Sequence, residues 1–206
     1  MSTVPRLAAL KLTNGLIGPL DLSVSPGQIL CITGPSGSGK SQLLRCLADL
    51  IPHQGEVLLD GVPASAMPAP DWRRQVGLLP PDSHWWYVTV GEHFPKGLPA
   101  QAEGLGFSPD VLRWRVDRLS SGEKQRLSLL RLLRNTPRVL LLDEPTANLD
   151  EHNVFLVEKL LLEYRKTHNA SLIWVSHDPR QVIRVSDARC MIQQGQLTEG
   201  AYVWSS

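Results

Sequence analysis

A glycine-rich octapeptide is the part of the sequence whose residue types point most directly to chemistry. Gly34-Pro-Ser-Gly-Ser-Gly-Lys-Ser41 matches the phosphate-loop (P-loop) pattern G-x-x-x-x-G-K-[ST] at every fixed position. The glycines let backbone N–H groups turn towards phosphate oxygens, Lys40 can reach the terminal phosphates, and Ser41 can ligate Mg²⁺. We therefore predict a nucleotide-binding loop made of Gly34, Pro35, Ser36, Gly37, Ser38, Gly39, Lys40, Ser41 and Gln42.

Two adjacent carboxylates form the second chemical element. Asp143 and Glu144 follow the apolar run 139–142, which places them at the carboxyl end of a predicted strand, where ligands bind in open α/β sheets. Asp143 is suited to hold Mg²⁺ through water, and Glu144 to polarise an attacking water as general base. Taken alone, two carboxylates after a strand indicate a solvated loop. The P-loop upstream is what favours the catalytic interpretation.

The segments that carry these motifs predict an α/β core. Apolar runs at 28–33, 139–142 and 171–175 have strand length and end in polar residues, as expected of a parallel sheet covered on both faces. Leucines at helical spacing follow Lys40, and further amphipathic helices are predicted at about 122–134 and 151–167. The predicted fold class is a P-loop NTPase of the RecA-like type, with a mostly parallel sheet.

The flanking segments differ from this core. Residues 55–62 and 189–200 have the pattern of strands and hairpins, with turns at Asp60-Gly61 and Gly195, and indicate an antiparallel β flank. Residues 62–118 are rich in proline, so only short helices are expected there. Because we find no repeat or linker, we predict one domain over residues 1–206.

Composition excludes several classes of function. The formal net charge is +1 and the cations are scattered, so no nucleic-acid partner is expected. Cys31, Cys46 and Cys190 lack metal-ligand spacing and are predicted to be reduced, buried thiols. The N-terminus lacks the pattern of a signal peptide, and no run approaches 18 apolar residues. A cytoplasmic protein is expected.

A third motif narrows the class. Leu119-Ser120-Ser121-Gly122-Glu123 precedes the strand at 139–142 and resembles the LSGGQ signature of ABC ATPases. Asn148-Leu149-Asp150 resembles the D-loop of that family, and Ser176-His177-Asp178 resembles its switch-histidine loop. A lone histidine after a strand is more often structural, but this spacing favours His177 as the sensor of the γ-phosphate. The motifs follow the family's order over nearly the whole chain, which is similar to small bacterial cassettes, including those of a metal-stress iron-export type.

The resemblance implies a mechanism and partners. ABC cassettes pair head to tail, so ATP with Mg²⁺ on the P-loop of one copy meets Ser120, Gly122 and Asp150 of a second cassette. With Lys40, Glu144 and His177 as the expected catalytic residues, the chain would power a separate transmembrane permease from the inner face of the cell membrane. Two alternatives stay open: a soluble ABC clamp of DNA repair or translation, and a weakly hydrolysing regulatory cassette.

The sequence departs from the family pattern at several positions. The Q-loop glutamine aligns with Pro81, and Asp82 could supply a replacement oxygen. Where an aromatic commonly stacks on adenine, the chain offers Leu16 or Ile17, which predicts loose selectivity for the base. A helical subdomain at about 82–122 is expected to be small.

That subdomain begins with three adjacent aromatics, Trp85, Trp86 and Tyr87. Two interpretations of the Trp85–Trp86 pair stay open. It either fills the local core or forms a docking anchor for the membrane subunit. Ser121 replaces the first signature glycine but removes no donor, so we expect little effect from it.

Overall fold

The computed structural model describes residues 4–199, which form two β-sheets and the helices that cover them. Its strands are β1 Leu7–Thr13, β2 Leu20–Val24, β3 Ile29–Thr33, β4 Gln54–Leu59, β5 Val62–Pro63, β6 Val76–Leu79, β7 Val139–Asp143, β8 Ser171–Val175, β9 Ala188–Gln193 and β10 Gln196–Glu199. Its α-helices are α1 Lys40–Leu47, α2 Ala69–Gln75, α3 Ser121–Leu133, α4 Glu151–His168 and α5 Pro179–Val185.

The larger sheet has the order β10-β9-β3-β8-β7-β6, and its central strands are parallel. Every residue of β7 and β8 is buried, as continuous apolar runs predict. Alternate residues of β7 enter different cores: Leu140 and Leu142 pack with α3 and α4, while Val139 and Leu141 pack with α1 and the smaller sheet. The predicted mostly parallel α/β core is confirmed.

The smaller sheet is antiparallel, in the order β2-β1-β4-β5. It contains the predicted strand and turn at residues 55–62, so this half of the predicted antiparallel flank is confirmed. Residues 189–199 lie at the edge of the larger sheet rather than in the smaller one, because β9 pairs parallel with β3, and residue 200 lies outside the described residues. The hairpin itself is present, and β10 adds an antiparallel edge beside β9.

The β9–β10 turn supports the P-loop. The Gly195 N–H donates to the Ser38 carbonyl at 3.2 Å, and its own carbonyl accepts from Gly18 N–H at 2.8 Å. The alternating burial pattern of a half-buried strand such as β9 is compatible with either sheet, so the sequence alone does not predict that β9 pairs with β3.

The proline-rich segment contains short helices, as predicted. Between β6 and α3 these are the 3₁₀ helices Gly91–His93, Ala100–Leu105, Pro109–Arg113 and Val116–Arg118. All of residues 82–120 are described, and none of them is α-helical. The segment predicted to form a small helical subdomain therefore contains 3₁₀ turns that lead into α3. Among the described residues, no helix is both long and apolar enough to cross a membrane.

Candidate functional site

The P-loop lies between the buried strand β3 and helix α1, and two of its glycines occupy positions that have no room for a side chain. Gly34 has φ +143°, and a Cβ there would meet the Ile192 carbonyl oxygen at 2.1 Å. Gly39 has φ +108°, and a Cβ there would meet the Ile17 methyl Cγ2 at 2.4 Å. Both backbones lie in the region that favours glycine. The loop therefore keeps its shape by packing against β9 and the β1–β2 connection.

Lys40, the first residue of α1, is held across this loop. Its buried ammonium group donates to the Gly34 and Pro35 carbonyls at 2.8 and 2.9 Å. Burial lowers the pKa of Lys40 from its ordinary value, and the carboxylates of Glu144 and Asp143 oppose that shift. The positive charge of Lys40 therefore lies against the P-loop carbonyls and close to the acidic pair at the end of β7.

Asp143 is the last residue of β7 and is 4% exposed. Burial raises the pKa of its carboxyl, and the neighbouring Ser41 hydroxyl lowers it. A hydroxyl and a carboxylate side by side are the oxygen donors that Mg²⁺ prefers when it also binds phosphate. The donor set thus fits the Mg²⁺ predicted from the sequence, with Ser41 and Asp143 as the residues that would hold it.

Glu144 and His177 meet beside this pair. Nε2 of His177 lies 3.1 Å from Oε1 of Glu144, and both side chains are partly open to solvent. Glu144 has φ +51°, which turns the chain sharply after β7, and its N–H donates to the Val175 carbonyl at 3.2 Å. A carboxylate in contact with an imidazole and with water can polarise that water. The structure brings these two predicted catalytic residues into direct contact.

The signature residues lie at the start of α3. Ser120 is the N-cap: its backbone N–H and its hydroxyl donate to Oε2 of Glu123 at 2.8 and 2.9 Å, and Glu123 N–H donates back to Ser120 Oγ at 3.2 Å. This is a reciprocal capping box. A Cβ on Gly122 would lie 3.0 Å from Leu149 and 3.1 Å from the Asn148 carbonyl, so the signature packs against the D-loop. The sequence did not predict that Glu123 engages the Ser120 hydroxyl.

Asp150 caps α4 in a similar way. Its carboxylate accepts from the backbone and side-chain nitrogens of Asn153 at 2.9 and 2.8 Å, and these hydrogen bonds lower its pKa. Ser120 and Asp150 are both exposed. Their hydrogen-bonding groups serve their own helices, and their open sides face solvent, where a second copy could reach them.

The turn at the Q-loop position is held by a side chain of α3. Pro81 follows β6, and Asp82 is exposed beside it. The buried Gln125 of α3 donates to the Pro80 carbonyl and accepts from the Ser83 hydroxyl, both at 3.5 Å. The rigid turn is thus fastened to α3 by an amide that the sequence did not single out.

The two apolar candidates for contact with adenine differ in exposure. Ile17 is 2% exposed and fills the space beside Gly39, whereas Leu16 is 69% exposed. Of the two, Leu16 is the side chain that a base could contact.

The two adjacent tryptophans, Trp85 and Trp86, also differ in exposure. Trp85 is half-buried and packs against the core beneath α3, whereas Trp86 is 64% exposed. The Arg131 guanidinium lies 4.7 and 4.8 Å from the two rings. His93 accepts at Nε2 from the N–H groups of Trp86 and Tyr87 at 3.1 and 3.2 Å, and its Nδ1 lies 3.1 Å from the Thr89 carbonyl. Each tryptophan therefore has the exposure that one of the two interpretations requires.

Fold and site together define the class first. A strand–P-loop–helix unit beside two carboxylates at the end of a neighbouring parallel strand is the arrangement of a P-loop nucleoside triphosphatase. The family follows from comparison. A family model described as "ABC transporter" matches residues 17–147, and this chain belongs to that family. It is an ABC-type ATPase.

Curated relatives agree. The chain is 35% identical over 202 residues to the probable iron export ATP-binding protein FetA of Escherichia coli strain K12, covering 91% of this chain and 89% of that protein. It is 34% identical over 206 residues to the phosphate import ATP-binding protein PstB of Aeropyrum pernix, with 87% and 81% covered. The chain is also 35% identical over 193 residues to protein STAR1 of rice, and the match covers 87% of this chain but only 56% of STAR1.

Solved structures share the fold. A dimeric ATP-binding cassette in a post-hydrolysis state with ADP and Pi gives a TM-score of 0.80 at 20% identity, with 94% of this chain and 98% of that chain covered. An Atm1-family ABC exporter with ATP bound gives 0.83 at 24% identity, and this chain spans 39% of it.

Proposed function

We propose that this chain binds Mg-ATP at the P-loop, hydrolyses it, and powers a membrane transporter as a pair of cassettes joined to a separate transmembrane subunit at the inner face of the cell membrane. The contact between Glu144 and His177 at 3.1 Å, beside the buried Asp143, is the observation that carries the hydrolytic half of the proposal. Relatives named as import and export ATP-binding proteins support the transport half.

The proposed reaction assigns one task to each residue. Glu144 accepts a proton from a water that attacks the γ-phosphorus, while the bond to the bridging oxygen breaks and ADP leaves. His177 holds the Glu144 carboxylate and reaches the γ-phosphate. Lys40 exchanges its carbonyl contacts for phosphate oxygens and neutralises their charge. Ser41 and Asp143 would hold Mg²⁺, which would offset negative charge on the phosphates.

The other half of each site comes from the second cassette. Its Ser120 hydroxyl and the N–H groups at the start of its α3 suit a terminal phosphate, and its Asp150 lies at the start of α4. Because these groups are exposed in one copy, a head-to-tail pair can place them over the P-loop of the other. ATP then joins the pair until it is hydrolysed.

Trp86, Tyr87 and Val88 form an exposed apolar patch on the shortened helical segment, and we assign docking of the membrane subunit to it. Exposed aromatics anchored by a fixed backbone are favourable hot spots. Cargo selection belongs to the membrane subunit, since the relatives' names differ in cargo while their ATP-binding function is shared.

The experiment measures ATP turnover and co-purification with a candidate membrane protein, chosen as a neighbouring reading frame that encodes several stretches of about 20 apolar residues. Trp86→Ala should lose co-purification at least tenfold while its ATP turnover in isolation stays near wild type. Trp85→Ala is the matched control, because it removes the same side chain from the core side and should lower stability instead. If Trp86→Ala co-purifies with the membrane protein as well as wild type does, the docking assignment is wrong. If the ATP turnover rate of the wild-type chain is the same with and without the membrane protein, the proposed coupling is wrong.

A further inference from the structure

We propose that Gln181, acting through Thr146, is a positioning residue that holds Glu144 against His177. Gln181 touches neither the substrate nor the reacting atoms. It lies on α5 and connects a buried ion pair to the turn that follows the catalytic carboxylate. This inference rests on the proposed function, because it takes Glu144 to be the base.

The anchor of the arrangement is a buried carboxylate on α4. Glu158 is 3% exposed, and its oxygens accept from Nε and Nη2 of Arg184 at 2.7 and 2.6 Å. The hydrogen bonds to Glu158 raise the pKa of Arg184. The Gln181 amide donates to the same carboxylate at 2.9 Å. A buried charge with three donors is fixed in place, because losing one of them leaves it undersolvated.

The Gln181 amide also binds the turn after β7. Its Nε2 lies 2.9 Å from Thr146 Oγ1, and the Thr146 hydroxyl lies 3.2 Å from Gln181 Oε1. Gln181 is 2% exposed, so water is excluded as a substitute partner. Thr146 is therefore tied to the buried pair on α4 and α5 through one side chain.

Thr146 is two residues after Glu144, inside a turn that needs support. Glu144 has φ +51°, a conformation that costs free energy for any residue except glycine. Its carbonyl accepts from the Ala147 N–H at 3.2 Å, which closes the turn around Thr146. The contact with Gln181 is what fastens this turn to the rest of the molecule from the α5 side.

Gln181 also acts on the position of His177, through helix α5. Helix α5 begins directly after the switch loop, where the Asp178 carboxylate caps it by accepting from Arg180 N–H at 2.9 Å, and Asp178 N–H donates to the Ser176 hydroxyl at 3.1 Å. A shift of α5 therefore moves His177, whereas a shift of the Thr146 turn moves Glu144. Gln181 couples the two shifts, which maintains the contact between them.

The test uses two variants that remove this link without opening a large cavity: Thr146→Val and Gln181→Met. Each should lower kcat for ATP by about 10- to 100-fold, the range that an ångström-scale misplacement costs, while KM for ATP changes less than about twofold. Thr146→Ser keeps the hydroxyl that Thr146→Val removes, so it should retain most of the wild-type kcat. The double variant should be no slower than the slower single variant, because both break the same link between Thr146 and Gln181, although Gln181→Met also loses the hydrogen bond to Glu158.

Tyr164→Phe is the matched control. It also removes a buried hydrogen bond of α4, from the Tyr164 hydroxyl to the Pro137 carbonyl at 2.8 Å, but it touches neither the turn nor the switch loop. It should lower the melting temperature and leave kcat unchanged. The proposal is overturned if Thr146→Val keeps kcat within twofold of wild type, or if Tyr164→Phe loses as much activity as Thr146→Val.

Glu144→Gln, assayed in the same series, separates this inference from the function beneath it. If Glu144→Gln turns over like wild type, the proposed base is wrong. If Glu144→Gln is slow while Thr146→Val and Gln181→Met are normal, only the positioning role fails. Should Gln181→Met not fold, Thr146→Val and its Thr146→Ser rescue decide the matter.

Discussion

Replacing Glu123 by glutamine changes the signature site without removing its helix cap. In the structure the Glu123 carboxylate holds the Ser120 hydroxyl at 2.9 Å, and that hydroxyl is the group proposed to meet the γ-phosphate of ATP bound to a second copy. The carboxylate therefore competes with the phosphate for one proton and also repels it. Glutamine at this position still completes a capping box and carries no charge.

The distances set the size of the effect. A phosphate oxygen that accepts from Ser120 at about 2.7 Å lies within roughly 5.6 Å of the Glu123 carboxylate oxygen. One pair of unit charges at that separation repels by about 0.7 kcal/mol in water and by about 3 kcal/mol at the effective dielectric of a protein surface. Glu123→Gln should therefore tighten the ATP-bound dimer by about 3- to 150-fold for each of its two sites, while the free energy of unfolding falls by no more than about 1 kcal/mol.

The assay is the dimer dissociation constant in ATP, measured by analytical ultracentrifugation in protein that also carries Glu144→Gln to slow hydrolysis. Glu163→Gln is the control, since it makes the same charge change at an exposed position on α4. Unchanged or weaker dimerisation in Glu123→Gln, with normal stability, would refute the competition between carboxylate and phosphate.

Three further outcomes are expected. Burial lowers the pKa of His93 from its ordinary 6.5, so the folded state favours the neutral imidazole. The free energy of unfolding should therefore rise with pH up to about 6.5 and fall on acidification. In urea titrations between about pH 5 and 7.5, His93→Gln should flatten that pH dependence. Gly39→Ala should weaken ATP binding at least about tenfold in titration calorimetry because its Cβ meets Ile17, whereas Gly37→Ala, where a Cβ meets nothing within 4 Å, should cost less. Asp143→Asn should raise the Mg²⁺ concentration for half-maximal turnover by about tenfold or more.

The elements that the sequence predicted correctly are those whose signal is local. The runs that became β3, β7 and β8 are apolar over strand length because both faces are covered. The start of α1 at Lys40 follows from the glycine pattern, and the start of α3 has a capping residue at Ser120. In each case the residues that specify the element lie within it or directly before it.

The features that escaped prediction depend on partners distant along the chain. The parallel pairing of β9 with β3 joins strands more than 150 residues apart, and half-buried alternation does not identify a neighbour. Thr146 and Gln181 are 35 residues apart and neither belongs to a motif that the sequence singled out. Trp85 and Trp86 are adjacent and chemically identical, so only the packing beneath α3 distinguishes the buried ring from the exposed one.

Turnover of ATP by purified Glu144→Gln protein, compared with wild type and with ATP binding measured on the same samples, bears directly on whether this chain is a hydrolysing cassette with Glu144 as its base. We expect turnover to fall by about 10² to 10⁴ with the affinity for ATP preserved, because the variant keeps the shape of the side chain and loses its ability to accept a proton. Hydrolysis at the wild-type rate in Glu144→Gln would contradict that role and the mechanism built on it.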